Sequence, residues 1–288
     1  MYSTHHLLPE GIALTLWRPA ATGESKLPLI ILCHGFCGVR GLLLPAYAGA
    51  FVRAGFAAIT FDYRGFGDSE GERGRLLPAL QAEDILTVTE WARMQPGIHH
   101  KRIGLWGTSL GGGHVFVAAA RDPGIQCVVS QLGFADGGAI VAGHMDEAER
   151  KTLLATLDGM HERKNHTGKE AFVRIPRVMS DPESRAFFER HRERFPEMDV
   201  KIPFLTVREI MHYRPALWAE QVKCPTLIVV ADRDTVNPPE QGTALFDAVS
   251  APVKMLYWVS GARHYDVYEG EHLERVTRTQ TDWFRKHL

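Results

Sequence analysis

The segment Gly107-Thr108-Ser109-Leu110-Gly111 constrains this chain more than any other. An apolar, strand-like run at 103–106 leads into it, and a helical run rich in Gly and Ala follows at 110–120. A serine between two such elements sits on a sharp, strained turn that lifts its hydroxyl above the carboxyl end of a sheet. Glycines two positions before and two after keep side chains out of that turn. A glycine-rich loop that merely contains a serine would not need a strand before it and a helix after it.

The rest of the chain supplies a sheet of the matching kind. Polar-alternating segments at 3–8 and 12–18, joined by Pro9-Glu10-Gly11, read as an antiparallel edge pair. Short continuous apolar runs at 29–33, 57–61, 102–106, 125–130, 226–231 and 253–259 read as strands buried on both faces. Helical patterns separate them at 45–54, 78–94, 110–120, 239–249 and 272–286. From 136 to 215 this alternation stops, and the sequence turns helical in period with charges of both signs. The expected fold is α/β: about eight mostly parallel strands with helices on both faces. Residues 1–135 and 216–288 would form the core, and 136–215 a helical cap entering after the sixth strand. Met145, Leu153, Leu157, Phe172, Phe187, Phe188, Met211 and Tyr213 are the apolar positions expected to hold that cap together or line a pocket.

Charge and cysteine content narrow the function classes. Lys plus Arg number 33 and Asp plus Glu 34, a balance that calls for neither nucleic acid nor an anionic membrane as partner. No apolar stretch approaches the roughly 18 residues of a membrane span, and the first residues lack the pattern of a secretory signal. Cys33, Cys37, Cys127 and Cys224 show no redox or zinc spacing and read as reduced thiols of a cytoplasmic protein. No zinc-protease histidine motif exists, and the pairs His5-His6 and His99-His100 are placed in turns. The expectation is therefore no metal and no cofactor. The partner is a small-molecule substrate, with a homo-oligomer left open.

A serine hydroxyl needs a base. His264 follows the last strand in Gly261-Ala262-Arg263-His264, and the acid is sought after the penultimate strand, in Ala231-Asp232-Arg233-Asp234. Both turns lie at carboxyl ends of strands, where open α/β sheets place their sites. Asp234 is the favoured acid because it lies deeper in its turn; Asp232 and Asp136 are the alternatives. His114 and His212 read as packing or pocket residues. The amides of Leu110 and of Phe36, in His34-Gly35-Phe36, are the candidate donors to an oxyanion. Asp62-Tyr63-Arg64-Gly65-Phe66-Gly67-Asp68-Ser69 reads as a structural loop in which Asp62 and Arg64 bond nearby backbone.

Together, H-G-F after one strand, D-Y-R-G-x-G-x-S after the next, G-T-S-L-G-G, A-D-R-D and a final G-x-x-H resemble the α/β-hydrolase superfamily over some 200 residues of core. The N-terminal part resembles the dienelactone-hydrolase and S15-peptidase-like serine hydrolases. The resemblance implies Ser109, Asp234 and His264 as the catalytic residues, with Phe36 and Leu110 as oxyanion donors. It implies a serine hydrolase of the esterase or thioesterase kind, working through an acyl-enzyme. Amide, peptide or carbon–carbon bond hydrolysis on the same residues is the enzymatic rival, and a non-catalytic binding protein on the same scaffold is the other class. A serine where haloalkane dehalogenases and epoxide hydrolases would need an aspartate argues against those chemistries.

Overall fold

The computed structural model describes residues 1–20 and 26–288. The chain runs β1 (Tyr2–Leu7), β2 (Ala13–Arg18), β3 (Leu27–Cys33), α1 (Leu44–Arg53), β4 (Ala57–Phe61), α2 (Pro78–Arg93), β5 (Ile98–Thr108), α3 (Leu110–Arg121) and β6 (Cys127–Gln131). It resumes the same alternation with β9 (Thr226–Ala231), α9 (Pro239–Ala248), β10 (Lys254–Val259) and α10 (Gly270–His287). Between β6 and β9 lie α4 (Gly137–Ala142), α5 (Glu147–Thr167), β7 (Phe172–Arg174), α6 (Pro182–His191), β8 (Lys201–Pro203), α7 (Thr206–His212) and α8 (Pro215–Ala219).

The main sheet has eight strands in the order β1-β2-β4-β3-β5-β6-β9-β10. In it β2 runs antiparallel to both its neighbours, β1 and β4, and the pairs β4–β3, β3–β5, β5–β6, β6–β9 and β9–β10 are parallel. The period-2 geometry of each strand sends its residues to two separate cores. Leu29, Ile31, Cys33, Leu105 and Val128 pack with Ile85 of α2, Phe116 of α3 and Leu245 of α9. Ile30, Leu32, Trp106, Cys127 and Val129 pack with Tyr47 and Phe51 of α1 and Phe284 of α10. This double burial explains why the strands read as unbroken apolar runs rather than alternating ones.

The chain moves from β3 to β4 on one side, then crosses back to place β5 on the other side of β3. That reversal opens a crevice at the carboxyl ends of β3 and β5. The loops that carry Phe36 and Ser109 leave from there.

The structure departs from the sequence reading in several places. The segment between β6 and β9 is not wholly helical: β7 and β8 pair as a short antiparallel ribbon, Phe172 opposite Pro203. Three-residue strands are too short for periodicity to reveal. β5 starts at Ile98, with a register irregularity between Leu27 and Leu29, so His99 and His100 stand on a strand rather than in a turn. His5 and His6 stand on β1. His212 is exposed at the end of α7 rather than packed. Asp62 accepts the backbone N–H groups of Arg40 (2.6 Å) and Asp68 (3.0 Å), but it also pairs with the Arg40 side chain. Arg64 pairs with the buried carboxylate of Asp84 on α2, to which its backbone N–H also donates (2.8 Å), rather than with nearby backbone. The four cysteines are free thiols, three of them buried.

His114 lies fully buried in α3. Its Nδ1 accepts from the Tyr213 hydroxyl (2.7 Å) and its Nε2–H donates to Gln81 Oε1 (2.8 Å), since a carbonyl oxygen can only accept. Burial pushes its pKa down to about 3. The unfolded chain binds a proton at this group below about pH 6.5 and the native state does not. Its stabilising contribution is therefore complete above that pH and is lost as pH falls. His34, held down to about 4 by burial, acts in the same direction. Through these two groups the melting temperature is expected to drop between pH 7 and pH 5. Each histidine contributes up to about 1.4 kcal/mol per pH unit. In His114→Gln the slope should be shallower; an equal slope in thermal melts would exclude this origin.

Candidate active site

Ser109 has φ 55° and ψ −121°, a left-handed conformation forced by the turn from β5 into α3. Its N–H donates to the Gln131 carbonyl of β6 (2.9 Å), and its carbonyl accepts from Gly112 (2.9 Å). The flanking glycines are sterically required. A Cβ on Gly107 would stand 2.1 Å from the Gly111 carbonyl oxygen, and one on Gly111 would stand 2.3 Å from that of Cys33. The elbow therefore packs directly on the end of β3.

The loop after β3 is shaped by His34. Its Nδ1 accepts the Gly35 N–H (2.7 Å), and its Nε2–H donates to the Leu42 carbonyl (2.9 Å). Held down to about 4 by burial, the ring stays neutral and keeps that single tautomer. The Gly35 amide is thereby turned inward. A Cβ on Gly35 would meet Ser109 Cβ at 3.1 Å, which sets how closely this loop approaches the elbow. Among the described residues, the N–H groups of Phe36 and Leu110 have no protein acceptor.

His264 and Asp234 meet across two adjacent turns. His264 Nδ1–H donates to Asp234 Oδ2 at 2.7 Å, and both side chains are almost wholly buried. Asp234 Oδ1 accepts the N–H groups of Val236 and Asn237, each at 2.8 Å, so its carboxylate is held at both oxygens. Asp232 lies in the same turn but faces outward. It accepts the Gly261 N–H (2.7 Å) and stitches the two loops together. Asp136 is elsewhere: it caps α4 through the Ala139 N–H (3.1 Å) and pairs with Arg214. The structure thus brings Ser109, His264, Asp234, Phe36 and Leu110 to one region and leaves Asp136 outside it.

Ser109 Oγ has its hydrogen bond from Asn237 Nδ2 (3.4 Å) rather than with the imidazole. Serine and histidine face one narrow cavity of about 50 Å³, walled by Leu42, Tyr265 and Tyr268 and by Ile175, Met179 and Phe187 of the insertion. A second, wider cavity of about 290 Å³ also reaches Ser109; Phe36 and Met179 line both, while Leu110, Asn237 and the apolar Ile140, Val178 and Ile210 of the insertion line the wider one. Tyr265 locks the histidine loop to α6. It stacks on Phe187 (centroids 4.2 Å apart, planes at 17°), and its hydroxyl donates to Ser184 Oγ (2.9 Å).

A buried network that sequence reasoning missed joins the two loops from below. The Thr108 and Tyr268 hydroxyls are 2.6 Å apart, and Gln131 Nε2 donates to Thr108 Oγ1 (3.2 Å). Gln280 Nε2 donates to Gln131 Oε1 (2.7 Å), while the Tyr47 hydroxyl donates to the Val267 carbonyl (2.8 Å). Buried amides and hydroxyls are costly unless paired, so such a network fixes relative position. Single polar residues within apolar runs were the available signal. Their partners lie too far along the chain to be inferred.

A strained serine elbow beside a buried Asp–His pair, at the switch point of a mostly parallel sheet, is the arrangement of one large fold family. The family model described as alpha/beta hydrolase fold matches residues 28–271, and the chain belongs to that family. It is 60% identical over 288 residues to an Escherichia coli protein named "Uncharacterized 31.7 kDa protein in traX-finO intergenic region", with both chains fully covered. It is 31% identical over 281 residues to the quorum-quenching protein AidA of Acinetobacter baumannii, covering 94% of this chain and 90% of that one. It is 25% identical over 274 residues to the thiohydrolase aneE of Aspergillus aculeatus, covering 90% and 85%. The solved structure of DcsB complexed with its substrate analogue superposes with a TM-score of 0.84 at 23% identity, covering 99% of this chain and 98% of that one, a likeness of fold. Among the described residues no helix is long and apolar enough to cross a membrane, and no group of three or more His, Cys, Asp or Glu is placed to hold a metal ion.

Proposed function

We propose that this protein is a serine hydrolase that cleaves a carboxylic ester or thioester through an acyl-enzyme. Ser109 is the nucleophile, His264 the general base and acid, and Asp234 the residue that orients the imidazole. The observation that carries this reading is the buried 2.7 Å bond between His264 Nδ1 and Asp234, made beside a serine at φ 55° in the same cavity. A proton on Nδ1, held by a carboxylate that is itself anchored, leaves Nε2 free to take the proton of Ser109 Oγ. The Phe36 and Leu110 amides, without protein acceptors, suit an oxyanion hole for the tetrahedral intermediate.

The segment between β6 and β9 serves as a cap. It walls both cavities with mostly apolar side chains, which favours an uncharged, apolar acyl group and excludes bulk water. The proton returned by His264 must reach the leaving group, so the leaving group belongs on the narrow side and the acyl chain on the wide side. The thiohydrolase among the relatives supports testing thioesters beside esters.

A fluorophosphonate should label the protein stoichiometrically, and peptide mass spectrometry should place the adduct on Ser109. An adduct on another residue, or none, would overturn the assignment.

A further inference from the structure

Asn237 touches both ends of this machinery. Its backbone N–H donates to Asp234 Oδ1 at 2.8 Å. Its side-chain Nδ2 donates to the Leu132 carbonyl at 2.7 Å and reaches Ser109 Oγ at 3.4 Å. The orientation of the amide follows from chemistry: a carbonyl oxygen only accepts, so the atom facing Leu132 is the nitrogen. That nitrogen carries two hydrogens, one spent on Leu132 and the other available to Ser109. Asn237 is only 6% exposed. Leu132 is itself clamped, with φ 51° and its N–H on the Val229 carbonyl at 2.8 Å. A donor is thus held in advance at the oxygen that bonds to the acyl group.

We propose that Asn237 is a catalytic residue of the second half-reaction, its side-chain amide stabilising Ser109 Oγ as that oxygen leaves the acyl-enzyme. This rests on the reading of Ser109 as nucleophile. In the acyl-enzyme, Oγ is the alkoxy oxygen of an ester and a poor acceptor. Water gives a proton to His264 and adds to the acyl carbon. The tetrahedral intermediate then collapses: the bond from carbon to Oγ breaks, its electron pair goes to Oγ, and Oγ takes the proton back from His264. The free acid departs. Negative charge grows on Oγ during that cleavage, so the bond from Asn237 strengthens on the way to the transition state.

Acylation begins differently. There Oγ is a hydroxyl oxygen, already a fair acceptor, and the interaction with Asn237 exists before reaction starts. The donor therefore gains less in acylation than in deacylation. A residue that only cross-linked the β6 loop to the acid loop would slow both halves by the same factor when removed, through misplacement of Ser109 and Asp234.

The two half-reactions separate in stopped-flow kinetics with p-nitrophenyl acetate, with intact-protein mass spectrometry following the acetylated chain. Asn237→Leu, nearly isosteric and without a donor, should slow deacylation about 100-fold. Acylation should stay within about threefold of wild type, and the acetylated chain should accumulate. Asn237→Ala, which adds no bulk, is measured beside it, and circular dichroism reports the fold of both. Equal slowing of the two halves, or no change in either, would overturn the proposal. So would failure of both variants to fold, which would assign the residue to structure. Failure of the nucleophile reading looks different, because fluorophosphonate would then not label Ser109 in the wild-type protein.

Discussion

Ser109→Ala is expected to lower kcat by about 10⁶-fold on any ester the wild-type enzyme turns over, with the fold retained. The size follows from the proposed mechanism. Without Oγ no acyl-enzyme forms, and the Asp234–His264 pair has no nucleophile to activate. What survives is whatever the Phe36 and Leu110 amides and the two cavities contribute to direct attack by water. The fold should tolerate the change. Alanine carries the same Cβ as serine, so the strain at φ 55° is no greater, and the one side-chain bond lost is the 3.4 Å contact with Asn237. Thermal unfolding should therefore move by no more than the ~1 kcal/mol that a weak hydrogen bond contributes. Steady-state assays at high enzyme concentration check the first point and melting curves the second. A variant that keeps a tenth of wild-type activity would remove Ser109 from the chemistry.

The second large effect is at the acid. Asp234→Asn should lower kcat by roughly 10⁴-fold at neutral pH. Asparagine keeps the shape, and its Oδ1 can still accept from Val236 and Asn237. Its amide nitrogen, however, then faces His264 Nδ1 and can only donate. The imidazole must take the tautomer with its proton on Nε2, which leaves no lone pair for the Ser109 proton. Asp232→Asn should cost far less, since the Asp232 bonds lie on the outer side of the turn, to Gly261 and Ser260. Asp136→Asn should likewise be mild, because that residue caps α4 and faces Arg214. Parallel kcat measurements on the three variants decide the matter. A crippled Asp136 variant beside a nearly normal Asp234 variant would move the acid to the end of β6.

The size of these effects depends on how firmly the loops are held. The Asp232 stitch, the stack of Tyr265 on Phe187, and the Thr108–Tyr268 contact restrain the histidine loop from three directions. A catalytic group displaced by 1 Å loses about a hundredfold in rate, so these contacts matter to chemistry they do not touch.

By itself, the sequence determined the alternation of strand and helix and the glycine-flanked turn at Ser109. Those features are local. A strand buried on both faces reads as an apolar run, and a sharp turn demands glycine wherever it falls. Only the tertiary structure decided the rest. Asp232 and Asp234 are two positions apart in one turn, and which of them meets His264 depends on the direction each side chain takes after β9. The β7–β8 ribbon and the early start of β5 depend on pairing with distant strands, which propensity does not register. The amide of Asn237 meets Ser109 across 128 positions of sequence. Pairing at that distance is set by how β6, β9 and the elbow pack, because a hydrogen-bond partner is chosen by proximity in space and leaves no periodic mark along the chain.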